Sequence, residues 1–257
     1  MTHHVSRFTL YVLVWLLVAC SGRPDTLQEI RKRGVLHVGL DPSYPPFEAL
    51  APDGVLFGLD VDLGRELAGR LAPDVVANFV FISYDGLYDA LAIGQVDVLI
   101  SALVVEPGRM EDFAYSASYF DAGLALVVPA GAAGDIKEMQ DLAGRTVALE
   151  YATEGEVEAR RWARRLANLT VRPLTTAEEA LAAVLEGTAD AALVDRISAR
   201  LYLRENPTLT LVPRPVTTEP YALVVRAKDQ MLLQAINEAL EGMAAEGVLD
   251  AFLSHWL

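Results

Sequence analysis

The sequence predicts an α/β fold of two sheet lobes, and three observations carry that expectation. Gly34 to Ile100 reads strand, helix, strand, helix, strand, an order that builds a mainly parallel sheet with helices on its faces. A similar unit begins after the small-residue break Ala130 to Gly134 and runs through Asp195. The two halves also echo one another: residues 90–100 (ALAIGQVDVLI) and 183–193 (AVLEGTADAAL) both read helix, Gly, two residues, Asp, strand.

In the first unit, Gly34 to Leu40 is a β run, and the prolines of Asp41 to Phe47 interrupt it, because proline cannot continue a central strand. Asp53-Gly54 marks a turn. Val61 to Leu71 is an amphipathic helix that Pro73 ends. Val75 to Ile82 is a strand, Asp85 to Gly94 a short helix, and Val98 opens the third strand. Phe113 to Phe120 reads as an aromatic loop and Ala122 to Pro129 as a strand.

In the second unit, Thr146 to Leu149 is a strand, Tyr151 to Glu154 a loop and Glu156 to Leu169 a helix. Val171 to Leu174 is a strand, and Thr176 with Glu179 forms a capping box for a helix ending near Gly187. Ala189 to Val194 is a strand whose successor, Asp195, starts a helix. The chain returns through strand Glu219 to Arg226 and a helical tail, Asp229 to Leu253, broken at Gly242 and Gly247. Two sheet lobes with strand-end loops predict a ligand in the crevice between them, at the carboxyl ends of the strands.

Composition narrows the function. The 257 residues, 53% hydrophobic and 22% charged, supply a packed core. Asp and Glu number 35 against 21 Lys and Arg, which argues against nucleic acid, whose phosphates demand a basic face. The four histidines (His3, His4, His37, His255) form no metal-ligand spacing, so no metal or other cofactor is expected. His37 reads as a strand residue and His255 as a surface residue.

Arg7 precedes an apolar run, Phe8 to Ala19, too short for a permanent span but suited to an export signal. Its end, Leu17-Val18-Ala19-Cys20, resembles the bacterial lipobox, in which the signal is cut before a cysteine that then carries lipid. Cys20 is the chain's one cysteine, so that assignment leaves no disulfide and no thiol chemistry. Residues 1–19 are then a signal peptide and 20–33 a lipid-anchored tether.

Val98 to Arg109 (VLISALVVEPGR) has features of a carboxylate-capturing loop. A buried strand ends there in a hydroxyl, backbone N–H groups and an arginine whose fork matches a carboxylate. The alternative is an ordinary loop with Arg109 as a solvated charge.

Five motifs stand in order along the chain: VGLDPSYPPFE at 38–48, GLDVDLGRELAGRL at 58–71, YDGLYDALAIGQVDVLIS at 84–101, GRTVALEYATEGE at 144–156 and EPYALVVR at 219–226. Together they resemble the extracellular solute-binding proteins of polar amino-acid ABC transporters, solute-binding protein family 3. The resemblance implies a type II periplasmic-binding-protein fold joined by two hinge strands, near Val127–Ala130 and Pro213–Thr218. Residues 34–127 and 219–257 would form lobe 1, and 128–218 lobe 2. It implies a monomer outside the cytoplasm that closes on a small carboxylate-bearing solute and delivers it to an ABC permease.

Carried over by motif, Tyr44 and Tyr84 would form the ligand's aromatic walls. Phe47 would either join them or pack in the core, and Asp41 would meet a ligand side chain or cap a turn. Ser101, the backbone of Ala102 and Leu103, and Arg109 would hold a carboxylate. Thr153 and the N–H of Glu154 would bind from the second lobe at a helix N-terminus. Asp195 would receive an α-ammonium, a role compatible with capping its helix.

Three departures bear on the ligand. Val104 stands where a Thr or Ser is usual and removes an acceptor. Glu106-Pro107-Gly108-Arg109 replaces a Thr-Pro-Glu-Arg pattern, and Ala152-Thr153-Glu154 replaces Gly-Ser/Thr-Ser/Thr. An alternative reading is a periplasmic dehydratase of cyclohexadienyl acids on the same scaffold, which would need a pocket acid such as Glu106, Glu150 or Glu154. A third is a sensory or accessory protein, which the lack of a further output domain before Leu257 disfavours. The arginines Arg160, Arg161, Arg164 and Arg165 read as a solvated helix face or as a permease-docking patch.

Overall fold

The structure, a computed structural model, describes residues 25–257. The expected signal peptide and Cys20 lie outside the described residues. Two five-stranded sheets form the frame, with a small three-stranded sheet beside the first.

Helix α1 (Thr26–Arg33) lies inside the segment expected to be a tether. It buries Leu27 and Ile30 in the first lobe's core, and apolar burial orders what composition alone had left as linker. Strand β1 (Val35–Leu40) follows, then the short strands β2 (Ser43–Tyr44), β3 (Glu48–Leu50) and β4 (Leu56–Phe57). Helix α2 (Leu59–Leu71) buries Leu59, Leu63, Leu67 and Leu71, one residue per turn along a single stripe. Then come β5 (Val76–Phe81), α3 (Leu87–Ala92), β6 (Val98–Leu99) and β7 (Phe113–Asp121). With the return strand β13 (Pro220–Arg226), the first sheet has the order β5-β1-β6-β13-β7. Strands β5, β1 and β6 run parallel, and β13 is antiparallel to both its neighbours.

The aromatic segment Phe113 to Phe120 is therefore a strand rather than a loop. Its partner β13 lies about a hundred residues further on, so no local signal announces the pairing.

The second lobe contains β8 (Leu124–Pro129), β9 (Thr146–Glu150), α4 (Glu154–Ala163) and β10 (Thr170–Leu174). It continues with α5 (Ala177–Leu185), β11 (Ala191–Asp195), α6 (Arg196–Glu205) and β12 (Leu209–Leu211). The sheet order is β10-β9-β11-β8-β12, with β8 antiparallel to β11 and β12. The C-terminal helices α7 (Gln230–Ala245) and α8 (Val248–Trp256) pack on the first lobe. Only Gly247 breaks the tail, in a left-handed conformation, whereas α7 runs through Gly242.

The expected lobe boundary at Val127–Val128 needs correction. Strand β8, from Leu124 onward, already belongs to the second sheet, so the outward crossing is at Ala122–Gly123. The return segment passes through Thr217 to Glu219. The two segments are bonded to each other: Ala122 N–H donates to Glu219 O at 2.9 Å and Leu124 N–H to Thr217 Oγ1 at 2.9 Å. Asp121 Oδ1 ties both together, accepting from Gly123 N–H at 2.9 Å and Glu219 N–H at 2.8 Å.

The internal echo has a structural cause. Gly94 and Gly187 both end their helices with positive φ, 79° and 71°. Asp97 Oδ2 accepts from His37 N–H at 2.8 Å, and Asp190 Oδ2 from Thr146 N–H at 2.7 Å. Each aspartate thus fastens the start of one sheet strand to a parallel neighbour in its own sheet.

Candidate functional site

Two cavities open at the carboxyl ends of the parallel strands, one on each lobe. The first, about 330 Å³, is walled by Asp41, Tyr44, Tyr84, Val104 and Tyr221, with Glu48, Ser101 and Ala102 at its floor. The second, about 160 Å³, is lined by Glu150, Thr153, Glu154 and Asp195 among others. Glu219, on the return crossing, lines both.

The first cavity is built on the ends of β1 and β6. Asp41 follows β1, and its Oδ2 accepts the Tyr84 N–H at 2.8 Å, so it positions one aromatic wall while facing the cavity. Tyr44 and Tyr84 are 44% and 55% exposed, rings left open to a solute. Tyr44 stacks on Phe47 with centroids 5.6 Å apart. Phe47 itself is wholly buried among Tyr44, Phe120 and Tyr221, so it is a core residue and does not line the cavity.

Beneath the floor lies a buried carboxyl pair. Ser101 Oγ donates to Glu48 Oε1 at 2.7 Å and accepts from Asp41 N–H at 3.0 Å. Ala102, at φ 44°, donates its N–H to Asp60 Oδ2 at 2.7 Å. Leu103 is packed in the core beside Leu87 and Leu99. These positions were expected to present donors to a carboxylate. The Ser101 hydroxyl and Ala102 amide are instead engaged by Glu48 and Asp60, and Leu103 does not line the cavity. Burial, and then the Asp60 charge, push the Glu48 carboxyl up to about 10, which keeps it neutral at pH 7. Burial raises Asp60 to about 6.

Arg109 lines neither cavity. It is exposed, donates from Nε to Glu106 Oε2 at 2.8 Å and lies over the Tyr88 ring. It stands near the first cavity's rim, where its charge opposes the rise that burial and Glu106 impose on Tyr84.

In the second lobe, Thr153 precedes α4 but donates its hydroxyl to Glu150 O at 2.7 Å instead of capping the helix. The α4 N-terminus, with Glu154 its first residue, borders the cavity. Asp195 caps α6 by accepting Ser198 N–H at 2.8 Å through Oδ1. Thr153, Glu154 and Asp195 therefore line one cavity together, and Asp41, Tyr44 and Tyr84 line the other.

Glu219 was missed by sequence reasoning. The available signal was an acid at the first residue of the return strand, next to the expected hinge. Burial, then the charges of Glu154, Asp121 and Asp195, raise its carboxyl above the ordinary range. Among the described residues there is no cluster of three metal-ligating side chains and no helix long and apolar enough to cross a membrane. The helix arginines Arg160 and Arg161 pair locally with Glu156 and Glu158.

A family model described as bacterial extracellular solute-binding proteins, family 3, matches residues 36–257. The chain belongs to this family. It is an exported solute-binding protein with a type II periplasmic-binding-protein fold. It is similar to the L-cystine-binding protein TcyJ of Escherichia coli K12, 30% identical over 90% of this chain and 85% of that one. It also resembles the solved structure of an ancestral cationic amino acid solute-binding protein, at TM-score 0.64 and 32% identity, over 90% of this chain and 99% of that one. A structure of an ancestral cyclohexadienyl dehydratase aligns with TM-score 0.78 and 27% identity, over 91% of this chain and 97% of that one.

Proposed function

We propose that this protein captures an amino acid, or a similar small solute bearing a carboxylate and an ammonium, between its lobes and delivers it to an ABC transporter. One observation carries the reading: two half-sites, one at the strand ends of each lobe, meet at Glu219 on the crossing that joins them. A solute that touches both halves favours the closed arrangement by its extra contacts there, and that differential affinity drives closure. Amino-acid-binding proteins among the relatives support the ligand class.

In this reading Arg109 leaves Glu106 on closure and takes the solute carboxylate. Asp195 receives the ammonium with the oxygen not used to cap α6. Tyr44 and Tyr84 enclose the remainder of the solute. Val104 supports the wall through an isolated β-bridge to Tyr221. Lipid on Cys20 would hold the protein at the membrane, within reach of its permease.

A dehydratase reading is favoured by the structural likeness to an ancestral cyclohexadienyl dehydratase and by the Glu48 acid at the cavity floor, whose carboxyl burial pushes up. That carboxyl is 1% exposed and bonded to Ser101, so it serves the wall better than a bound substrate. A thermal-shift panel of amino acids and small carboxylates tests the proposal, since a solute at a hundred times its Kd stabilises by about 2.7 kcal/mol. Stabilisation by an amino acid without turnover is the expected outcome. Conversion of a cyclohexadienyl acid, with no amino acid raising the Tm, would overturn it. Detergent phase partition of the wild type against Cys20→Ser tests the anchor, and equal partition would refute lipidation.

A further inference from the structure

We propose that Arg196 and Arg200 form a second ligand site, at the seam between the lobes, for a small oxyanion of the phosphate or sulfate class. The two arginines stand one turn apart on α6, so their side chains leave the same helix face. Both are half-buried, and the Nε of each is buried without a hydrogen-bond partner among the described residues. Neither joins an ion pair among those residues. Ile197, next to Arg196, packs against the first lobe's core, as do Val248, Leu249 and Leu253 of α8. The start of α6 therefore meets the other lobe. Neither arginine lines either cavity, so this site is separate from the proposed solute site and does not depend on it.

Arg226 shows how this fold satisfies a buried guanidinium. Its Nε donates to Asp229 Oδ2 at 2.6 Å, and its Nη1 donates to Leu91 O at 3.0 Å and Val96 O at 2.9 Å. Arg196 and Arg200 have no such set of partners, although the chain carries 35 Asp and Glu against 21 Lys and Arg. Burial, and then the Arg196 charge, pull the Arg200 guanidinium below its ordinary range. Asp250, exposed on α8, opposes that fall, yet it forms no ion pair with either arginine. Two like charges, close together and partly out of water, are costly until an anion stands between them. Each guanidinium presents a planar fork of donors, and a phosphate or sulfate has enough oxygens to meet two forks at once. Chloride supplies the charge but only a single acceptor centre. By neutralising the pair where α6 meets the first lobe, the oxyanion stabilises the fold, and that stabilisation can be measured.

Thermal unfolding and isothermal titration of the full-length chain test the site, with inorganic phosphate and sulfate compared against chloride at equal ionic strength. The expected result is a Tm that rises saturably with phosphate or sulfate and does not rise with chloride. Arg196→Gln and Arg200→Gln should each weaken phosphate binding roughly tenfold to a hundredfold, the range of one charged hydrogen bond. In chloride the Tm of both variants should stay close to that of the wild type. Arg164→Gln, at an exposed arginine just after α4, is the control and should keep wild-type phosphate binding. If a glutamine variant fails to fold, Arg196→Lys and Arg200→Lys keep the charge, lose the fork and read the same loss. An equal rise in Tm for the wild type and both variants means an adventitious ion only, stabilising by its exclusion from the surface, and overturns the site. No response to phosphate or sulfate overturns it too. So does binding to phosphatidylglycerol vesicles without binding of free phosphate, which would make the pair a headgroup contact.

Discussion

The Arg109 guanidinium carbon lies 4.1 Å from the centroid of the Tyr88 ring, while its Nε donates to Glu106. The arginine is thus held at the rim of the first cavity by two contacts that are weak in water. An exposed ion pair and a surface cation–π contact are each worth about 1 kcal/mol or less. A solute carboxylate that closure shields from water offers a stronger partner. Arg109→Ala should therefore weaken solute binding roughly tenfold to a hundredfold. Its urea unfolding midpoint should stay close to that of the wild type. Titration calorimetry and urea unfolding measure the two separately. Unchanged affinity for a carboxylate-bearing solute would remove Arg109 from the site.

The Glu48–Asp60 pair predicts a pH dependence of stability. Glu48 ionises near its ordinary 4.5 when unfolded and near 10 when folded, because burial and the Asp60 charge disfavour its anion. Between those values the folded state binds the proton that the unfolded state has released, so stability falls as pH rises. Below about pH 4.5 both states hold it and the contribution is fully present. Glu48→Gln supplies a neutral group of similar shape and abolishes this titration. Unfolding at pH 5, 7 and 9 should show a shallower decline for the variant than for the wild type. Parallel slopes would mean that Glu48 is ionised in the fold.

Asp195 combines two tasks that two substitutions separate. Its Oδ1 caps α6, and it lines the second cavity, where the proposed function gives its charge to the solute ammonium. Asn caps as well as Asp does, whereas Ala does not, at a loss of about 1 kcal/mol. Asp195→Asn should keep the wild-type Tm and lose most solute affinity. Asp195→Ala should lose affinity and also melt earlier. Equal loss of Tm in both variants, with affinity retained, would leave Asp195 as a cap alone.

What the sequence revealed of this molecule follows the range of its interactions. The helix–Gly–Asp–strand echo was legible because its contacts are set by short spacings, a left-handed glycine and an aspartate that bonds a neighbouring strand. The placement of Tyr44, Tyr84 and Asp195 on the cavity linings was legible because each lies near a strand end within a motif. Strand β7 was not, since β13 lies far along the chain. The donors of Ser101 and Ala102 were misjudged for a related reason. Their acceptors, Glu48 and Asp60, come from separate elements folded beneath the loop. Glu219 enters the site only because the crossing brings it between two cavities, and no local pattern encodes that.

Gly123 is where the two crossings touch most closely, and it gives a test of the hinge. A Cβ there would lie 2.2 Å from Thr217 O and 2.9 Å from Thr218 Cα, both backbone atoms that no rotamer change can move. Gly123→Ala must therefore part the crossings and strain the bonds that Asp121, Leu124 and Thr217 make across them. Overpacking of this kind typically destabilises by about 1–3 kcal/mol. Gly131→Ala is the control, since a Cβ there meets nothing within 4 Å, and its effect should stay within about 0.5 kcal/mol. Urea unfolding compares the two variants, and titration of Gly123→Ala with solute then reads the hinge. If the crossings set the closing geometry, Gly123→Ala binds more weakly than Gly131→Ala even at temperatures where both are folded. Equal stability and equal affinity would place the hinge elsewhere in the chain.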